Sequence, residues 1–119
     1  MKNDSSVSVL IGQTLSSIDR DGDDLIFTTD KGVRYRMYHH QDCCEDVNID
    51  DIDGDLNDLI GLPITQAEEN SSHDNPKSKW AESFTWTFYR FGTAKGWVVI
   101  KWYGSSNGYY SESVDFNRI

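Results

Sequence analysis

The stretch "SFTWTFYRFGTAKGWVVIKWYGSSNGYYSESVDF", residues 83 to 116, decides the fold. It holds three runs rich in β-branched and aromatic residues: Ser83 to Phe91, Gly96 to Tyr103 and Tyr109 to Phe116. The connectors "GTAKG" and "GSSNG" carry turn residues, and side chains of these types fit a pleated, half-buried surface. The C-terminal half therefore reads as a three-stranded antiparallel meander.

Upstream, shorter runs of the same character lie between turn signals. "TLSSI" (Thr14 to Ile18) precedes the polar turn "DRDGDD", and "LIFTT" (Leu25 to Thr29) precedes "DKG", where Gly32 can supply the positive φ of a tight hairpin. In "VRYRMY", Val33, Tyr35 and Met37 alternate with Arg34, Arg36 and Tyr38, the pattern of a strand with one buried face. "DVNI" (Asp46 to Ile49) reads as a further strand. The period then changes: Leu56, Leu59 and Ile60 fall at helical spacing, Asp55 is a good N-cap, and Gly61 followed by Pro63 ends the element. One short helix near residues 55–61, about two turns, is expected. Glu69 to Lys79, "ENSSHDNPKSK", reads as a mobile loop inside the domain.

The two halves also resemble each other. "LIGQTLSSID" (Leu10 to Asp19) aligns without gaps on "LIGLPITQAE" (Leu59 to Glu68). "DKGVRYRMY" aligns on "AKGWVVIKWY", and "CCEDVNI" on "YYSESVDF" through Val47 and Val114. Three matches in one order point to a duplicated unit of about 55 residues, with half-repeats at about 10–58 and 59–117. The expected fold is mainly β with minor helix: antiparallel meanders in a two-sheet or partly open barrel arrangement, one domain over residues 1–119.

Composition limits the function. Twenty Asp and Glu against eleven Lys and Arg give a net charge of −9, which opposes binding to phosphate backbones or anionic membrane surfaces. No window approaches the apolar run that a membrane helix or a signal peptide needs, so a soluble, cytoplasmic protein is expected. The two cysteines, Cys43 and Cys44, are adjacent; a bond between neighbours would tie no distant segments together, so reduced thiols are expected.

The strings "YHHQDCCE" (from Tyr38) and "SNGYYSE" (from Ser106), with "DIDGDLNDLIGLPI" between them, resemble a family of small proteins carried mostly by bacteriophages, prophages and their bacterial hosts, a domain of unknown function. The resemblance covers about residues 10 to 117. It implies a phage or mobile-element setting in a bacterial host cell and supplies no activity.

"YHHQDCCED" concentrates metal-ligand types: His39, His40, Cys43 and Cys44. Thiolates and imidazoles suit zinc, with His40, Cys43 and Cys44 as the ligand candidates, yet four ligands on six consecutive residues reach tetrahedral corners with difficulty. A thiolate nucleophile is opposed by Asp42, Glu45 and Asp46, which raise a thiol pKa. The plain alternative is a turn whose cysteine packs as a small apolar group. "DRDGDD" and "DIDGDLND" contain the Asp-x-Asp-Gly-Asp string of calcium-binding loops, but Gly stands at the fourth place and no closing Glu follows at the twelfth. "WYGSSNGYYS" offers Trp102, Tyr103, Ser105, Asn107, Tyr109 and Tyr110, side chains suited to protein recognition, or to a turn packed on the core.

Two classes of function follow. The first is a non-enzymatic acidic protein that engages a host protein through Asp50, Asp51, Asp53 and Asp55, and through Ser105, Asn107, Tyr109 and Tyr110, competing with nucleic acid for a basic surface. It has no cofactor, no catalytic residue and no direct contact with nucleic acid or membrane. The alternative is a metal- or thiol-dependent protein centred on His40, Cys43 and Cys44, with zinc or calcium as the ion.

Overall fold

In the computed structural model, residues 6–40, 45–73, 83–106 and 112–119 are described. They form eight strands: β1 (Leu15–Asp21), β2 (Asp24–Thr29), β3 (Arg34–Tyr38), β4 (Asp46–Asp53), β5 (Gln66–Ser72), β6 (Ser83–Thr93), β7 (Gly96–Ser106) and β8 (Asp115–Arg118). Two four-stranded antiparallel sheets result. The first has the order β1-β2-β3-β8 and the second β4-β7-β6-β5, and neither closes into a barrel.

The strand alternation expected of residues 33–38 is present: Met37 is fully buried and Tyr35 packs on the core, while Arg34 is exposed. Other expectations need correction. Residues 55–61 hold no α-helix, only one 3-10 turn, Leu56–Leu59. Gly54 and Gly61 both have positive φ and Ile60 is already extended, so only four residues remain, enough for the i to i+3 bond of Ile60 N–H to the Asn57 carbonyl at 3.2 Å. Asp55 does cap this turn, accepting from the Asn57 N–H at 2.9 Å.

The stretch read as a loop from Glu69 begins as strand, since Glu69 to Ser72 complete the β5 ladder against β6; residues 74–79 lie outside the described residues. The C-terminal meander is β5-β6-β7 rather than three strands from residue 83. β8 leaves it and pairs with β3, setting Phe116 opposite Met37. Likewise β4 leaves the first half and pairs with β7. Each half thus keeps a three-strand meander and gives its fourth strand to the other half's sheet.

The centre of the molecule shows the same exchange in detail. Gly12 N–H donates to the Ile64 carbonyl at 2.8 Å, and Gly61 N–H to the Leu15 carbonyl at 3.0 Å. The alignment of Leu10 with Leu59 converts one bond into the other. Leu10 and Leu59 are both fully buried, and Gly12 and Gly61 have φ of 85° and 88°. A side chain at such φ strains the backbone by about 1–2 kcal/mol, and open space surrounds Gly12 while only the tip of Lys95 nears Gly61. Gly12→Ala and Gly61→Ala are therefore expected to lower unfolding free energy by similar amounts, about 1–2 kcal/mol each, in urea titration; a neutral result at either position would contradict the backbone argument.

The core lies between the sheets. Leu25, Phe27, Met37 and Phe116 face Tyr89, Phe91, Val98, Ile100 and Trp102. Phe27 joins the layers, with its ring centroid 5.7 Å from Phe91 and 6.0 Å from Phe116, distances within the range of favourable aromatic pairs.

Candidate functional site

Register alone assigns the two faces of the second sheet. Tyr89, Phe91, Val98, Ile100 and Trp102 are buried against the first sheet, so by period two Phe84, Trp86, Phe88 and Arg90 of β6 and Trp97, Val99, Lys101, Tyr103 and Ser105 of β7 point outward. On β4 the bulge between Ile49 and Asp51 keeps Asp51 opposite Lys101 and Asp53 opposite Val99, on the outward side, while Asp46 stands opposite Ser105. The outward face therefore has three carboxylates along its β4 border and aromatic rings along its middle.

Those rings form a connected set. Trp86 lies 4.5 Å from Tyr103 and 6.2 Å from Phe88, and Phe84 is 6.2 Å from Tyr103. At the far end Trp97 is 52% exposed, a large value for this side chain. Its ring crosses the strand over Gly92, where a Cβ would come within 3.2 Å of it, and the Arg90 guanidinium sits 5.6 Å from the ring centroid. Gly92→Val is expected to displace Trp97 and move its fluorescence emission, while an unchanged spectrum would mean that the ring does not rest there.

Several residues singled out in the sequence are placed by these strands. Asp51 and Asp53 share the outward face with Ser105, and Asp50 is exposed at the bulge. Asp55 is the cap of the 3-10 turn. Trp102 faces inward and is fully buried, so it offers nothing to a partner; Tyr103 is 7% exposed. Asn107, Tyr109 and Tyr110 lie outside the described residues, as do Cys43 and Cys44. Among the described residues no three His, Cys, Asp or Glu are placed to hold a metal ion, and His40 is exposed. In the acidic hairpin, Asp23 accepts the Ile49 N–H at 2.9 Å and Asp24 binds Arg36 at 2.7 Å.

His39, rather than His40, is the built histidine. Its side chain is 4% exposed, and its Nε2 lies 3.2 Å from Glu45 Oε1, on a side chain that is 1% exposed. Nδ1 donates to the Ser113 carbonyl at 2.7 Å, because a carbonyl can only accept. The ring thus ties the start of β4 to the segment that leads into β8.

That segment is one wall of a cavity of about 550 Å3 at the polar end of the space between the sheets. β5 contributes Glu69 and Ser71, and β6 contributes Ser83, Thr85 and Thr87. Glu112, Ser113 and Val114 close the remaining side. Thr85 donates its hydroxyl to Glu112 Oε1 at 2.8 Å and Ser106 to Oε2 at 2.6 Å. Tyr89 donates to Glu69 Oε1 at 2.5 Å.

Burial pushes the Glu112 pKa up, but the hydroxyls of Ser106, Ser83 and Thr85, with His73 nearby, together outweigh it and hold the carboxyl below its ordinary value of 4.5. Burial, followed by the hydrogen bond to Glu69 and the charges of Glu69 and Asp115, holds the Tyr89 phenol far above its ordinary range. A carboxyl with a lowered folded pKa stabilises the fold above its unfolded pKa, and that contribution disappears as pH falls through the folded value. The stability difference between wild type and Glu112→Gln is therefore expected to be constant near neutrality and to shrink below about pH 4.5; a difference that grows on acidification would contradict it.

Sequence reading missed Glu69, Tyr89, Glu112 and the His39–Glu45 pair. One signal was available: in "SFTWTF" the polar Ser83, Thr85 and Thr87 alternate with aromatics, so one face of this strand had to be polar.

No curated protein and no solved structure is similar to this chain by the comparisons made. A family model does match it, from residue 8 to residue 116. The chain belongs to the family described as Domain of unknown function (DUF7448).

Proposed function

We propose that this protein is a non-enzymatic binding protein which engages a protein of a bacterial host through the outward face of its second sheet, presenting carboxylates to a basic surface of the kind that holds nucleic acid. The observation that carries the reading is Trp97, 52% exposed beside Arg90 and on the same face as Asp46, Asp51 and Asp53. Trp and Arg dominate the energetic centres of protein interfaces, and a bordering row of carboxylates favours a basic partner in both steering and specificity. The net charge of −9 acts in the same direction at longer range. A non-catalytic role is supported by Glu112, whose hydroxyl donors keep it ionised, a state suited to fixed charge rather than to proton delivery near neutrality.

The setting in a phage or prophage rests on the resemblance of the "HHQDCCE" and "SNGYYSE" strings. We also read the halves at about 10–58 and 59–117 as copies of one unit, which the matching places of Gly12 and Gly61 support.

The test is comparative affinity capture from bacterial lysate, with wild-type protein and a Trp97→Ala, Asp51→Lys, Asp53→Lys variant of equal thermal stability. The expected result is a partner retained by wild type, depleted about tenfold or more with the variant, and released by added salt. Equal retention of the same proteins by both would remove the proposal.

A further inference from the structure

We propose that the cavity between the sheets is a second binding site, independent of the outward face, and that it takes a primary ammonium or guanidinium group. Glu69 and Glu112 both line it, and no Lys or Arg does among the described residues. The hydroxyl protons of Thr85 and Ser106 are committed to Glu112 and that of Tyr89 to Glu69.

A hydroxyl that donates to a carboxylate turns its lone pairs the other way. The wall thus combines two carboxylates with no Lys or Arg among the described residues. A ligand that brings donors and positive charge matches such a wall, whereas an anion is repelled. Ammonium and guanidinium are donor-only cations. The volume, about 550 Å3, is within the range of small-molecule pockets and would admit an extended aliphatic chain or a long side chain.

The site is also built rather than incidental. The Ser113 carbonyl is held by the buried His39 at 2.7 Å. Glu112 is anchored to two strands through Thr85 and Ser106. Glu112 is therefore fixed before any ligand arrives, which limits the ordering cost of binding, while Glu69, on an exposed edge strand, is held through Tyr89.

The group has two possible sources, a free aliphatic diamine or a Lys or Arg side chain of a protein. Isothermal titration of the full chain with putrescine, with arginine amide, with a short Arg-rich peptide and with neutral sorbitol separates them. Saturable binding of at least one cationic probe is expected, with none of sorbitol. Displacement of the peptide by putrescine would assign both sources to one site, and binding of putrescine without the peptide would assign free amines. Glu69→Gln and Glu112→Gln are each expected to weaken the bound probe about tenfold or more, and Trp97→Ala to leave it unchanged. Glu69→Gln serves alone if the Glu112 variant does not fold. No saturation by any cation up to tens of millimolar (a free energy of only about 2–3 kcal/mol is that weak), equal binding of sorbitol, or insensitivity to the carboxylate variants would overturn the proposal. Because Trp97→Ala tests the outward face separately, failure of either site is distinguishable from failure of the other.

Discussion

Glu45→Ala is expected to lower the unfolding free energy by about 1–3 kcal/mol, the scale found when removal of one partner leaves a buried polar group unsatisfied. Glu45 is 1% exposed and His39 4% exposed, so water does not compensate for the missing carboxylate. The hydrogen bond of 3.2 Å requires one proton between Nε2 and Oε1. Without Glu45, the ring keeps its Ser113 carbonyl on one side and loses its partner on the other. Small domains have only about 5–15 kcal/mol in total, so the loss is a large fraction of the stability. Urea denaturation measures it. The double variant His39→Leu, Glu45→Leu is expected to lose less than the sum of the single variants, since neither member of the pair is then left without the other; strict additivity would mean that the contact contributes nothing. As the Ser113 carbonyl depends on the same ring, Glu45→Ala is also expected to weaken any ligand of the cavity.

Phe27→Ala is expected to cost about 3–5 kcal/mol by a different route, lost burial plus an unfilled cavity. Phe27 is fully buried and lies between Phe91 of the second sheet and Phe116 of β8. Phe116 is the buried anchor of a four-residue strand, stacked 5.4 Å from Tyr35. Removal of the Phe27 ring therefore weakens the contact between layers and the attachment of β8 together. Calorimetry would report the change as a lower Tm, and a cost below about 1 kcal/mol, the level of an ordinary surface substitution, would show that the layers do not depend on this ring.

Much of the architecture could be read along the chain, because strand formation leaves a local mark. Val33 to Tyr38 alternates, and among the described residues six glycines with positive φ lie at the turns and strand connections. The two-sheet arrangement was within reach for the same reason. The helix near residues 55–61 was misread because Leu56, Leu59 and Ile60 have a spacing that one 3-10 turn satisfies as well as an α-helix does. The strand at Glu69 to Ser72 was hidden by its polar composition. It is an edge strand in which only Ala67 is buried, and such a strand has little need of apolar residues.

The candidate sites were legible only in part. Asp51, Asp53 and Ser105 were identified and share one face. Glu69 and Glu112 were not, and His39 was named only as a metal-ligand type, because their roles depend on partners far away in the chain: Tyr89, Thr85 and Ser113. His39 and His40 are neighbours of identical type, and only the direction of the strand end makes one buried and the other exposed.

By itself the sequence determined the β class, the positions of most turns, the acidic charge and the likeness of the two halves, all properties of neighbouring residues or of composition. Tertiary structure alone decided that β4 and β8 cross to the opposite sheets, that the Ser-Thr side of residues 83–87 faces inward while its aromatic side faces outward, and that two distant glutamates meet in one cavity. The physical reason is that alternation tells which side chains share a face of a strand, whereas the choice of the inward face is made by what packs across from it. Here the packing surface for residues 83–87 is the segment from Glu112 to Val114, which reaches that position only because β8 pairs with β3.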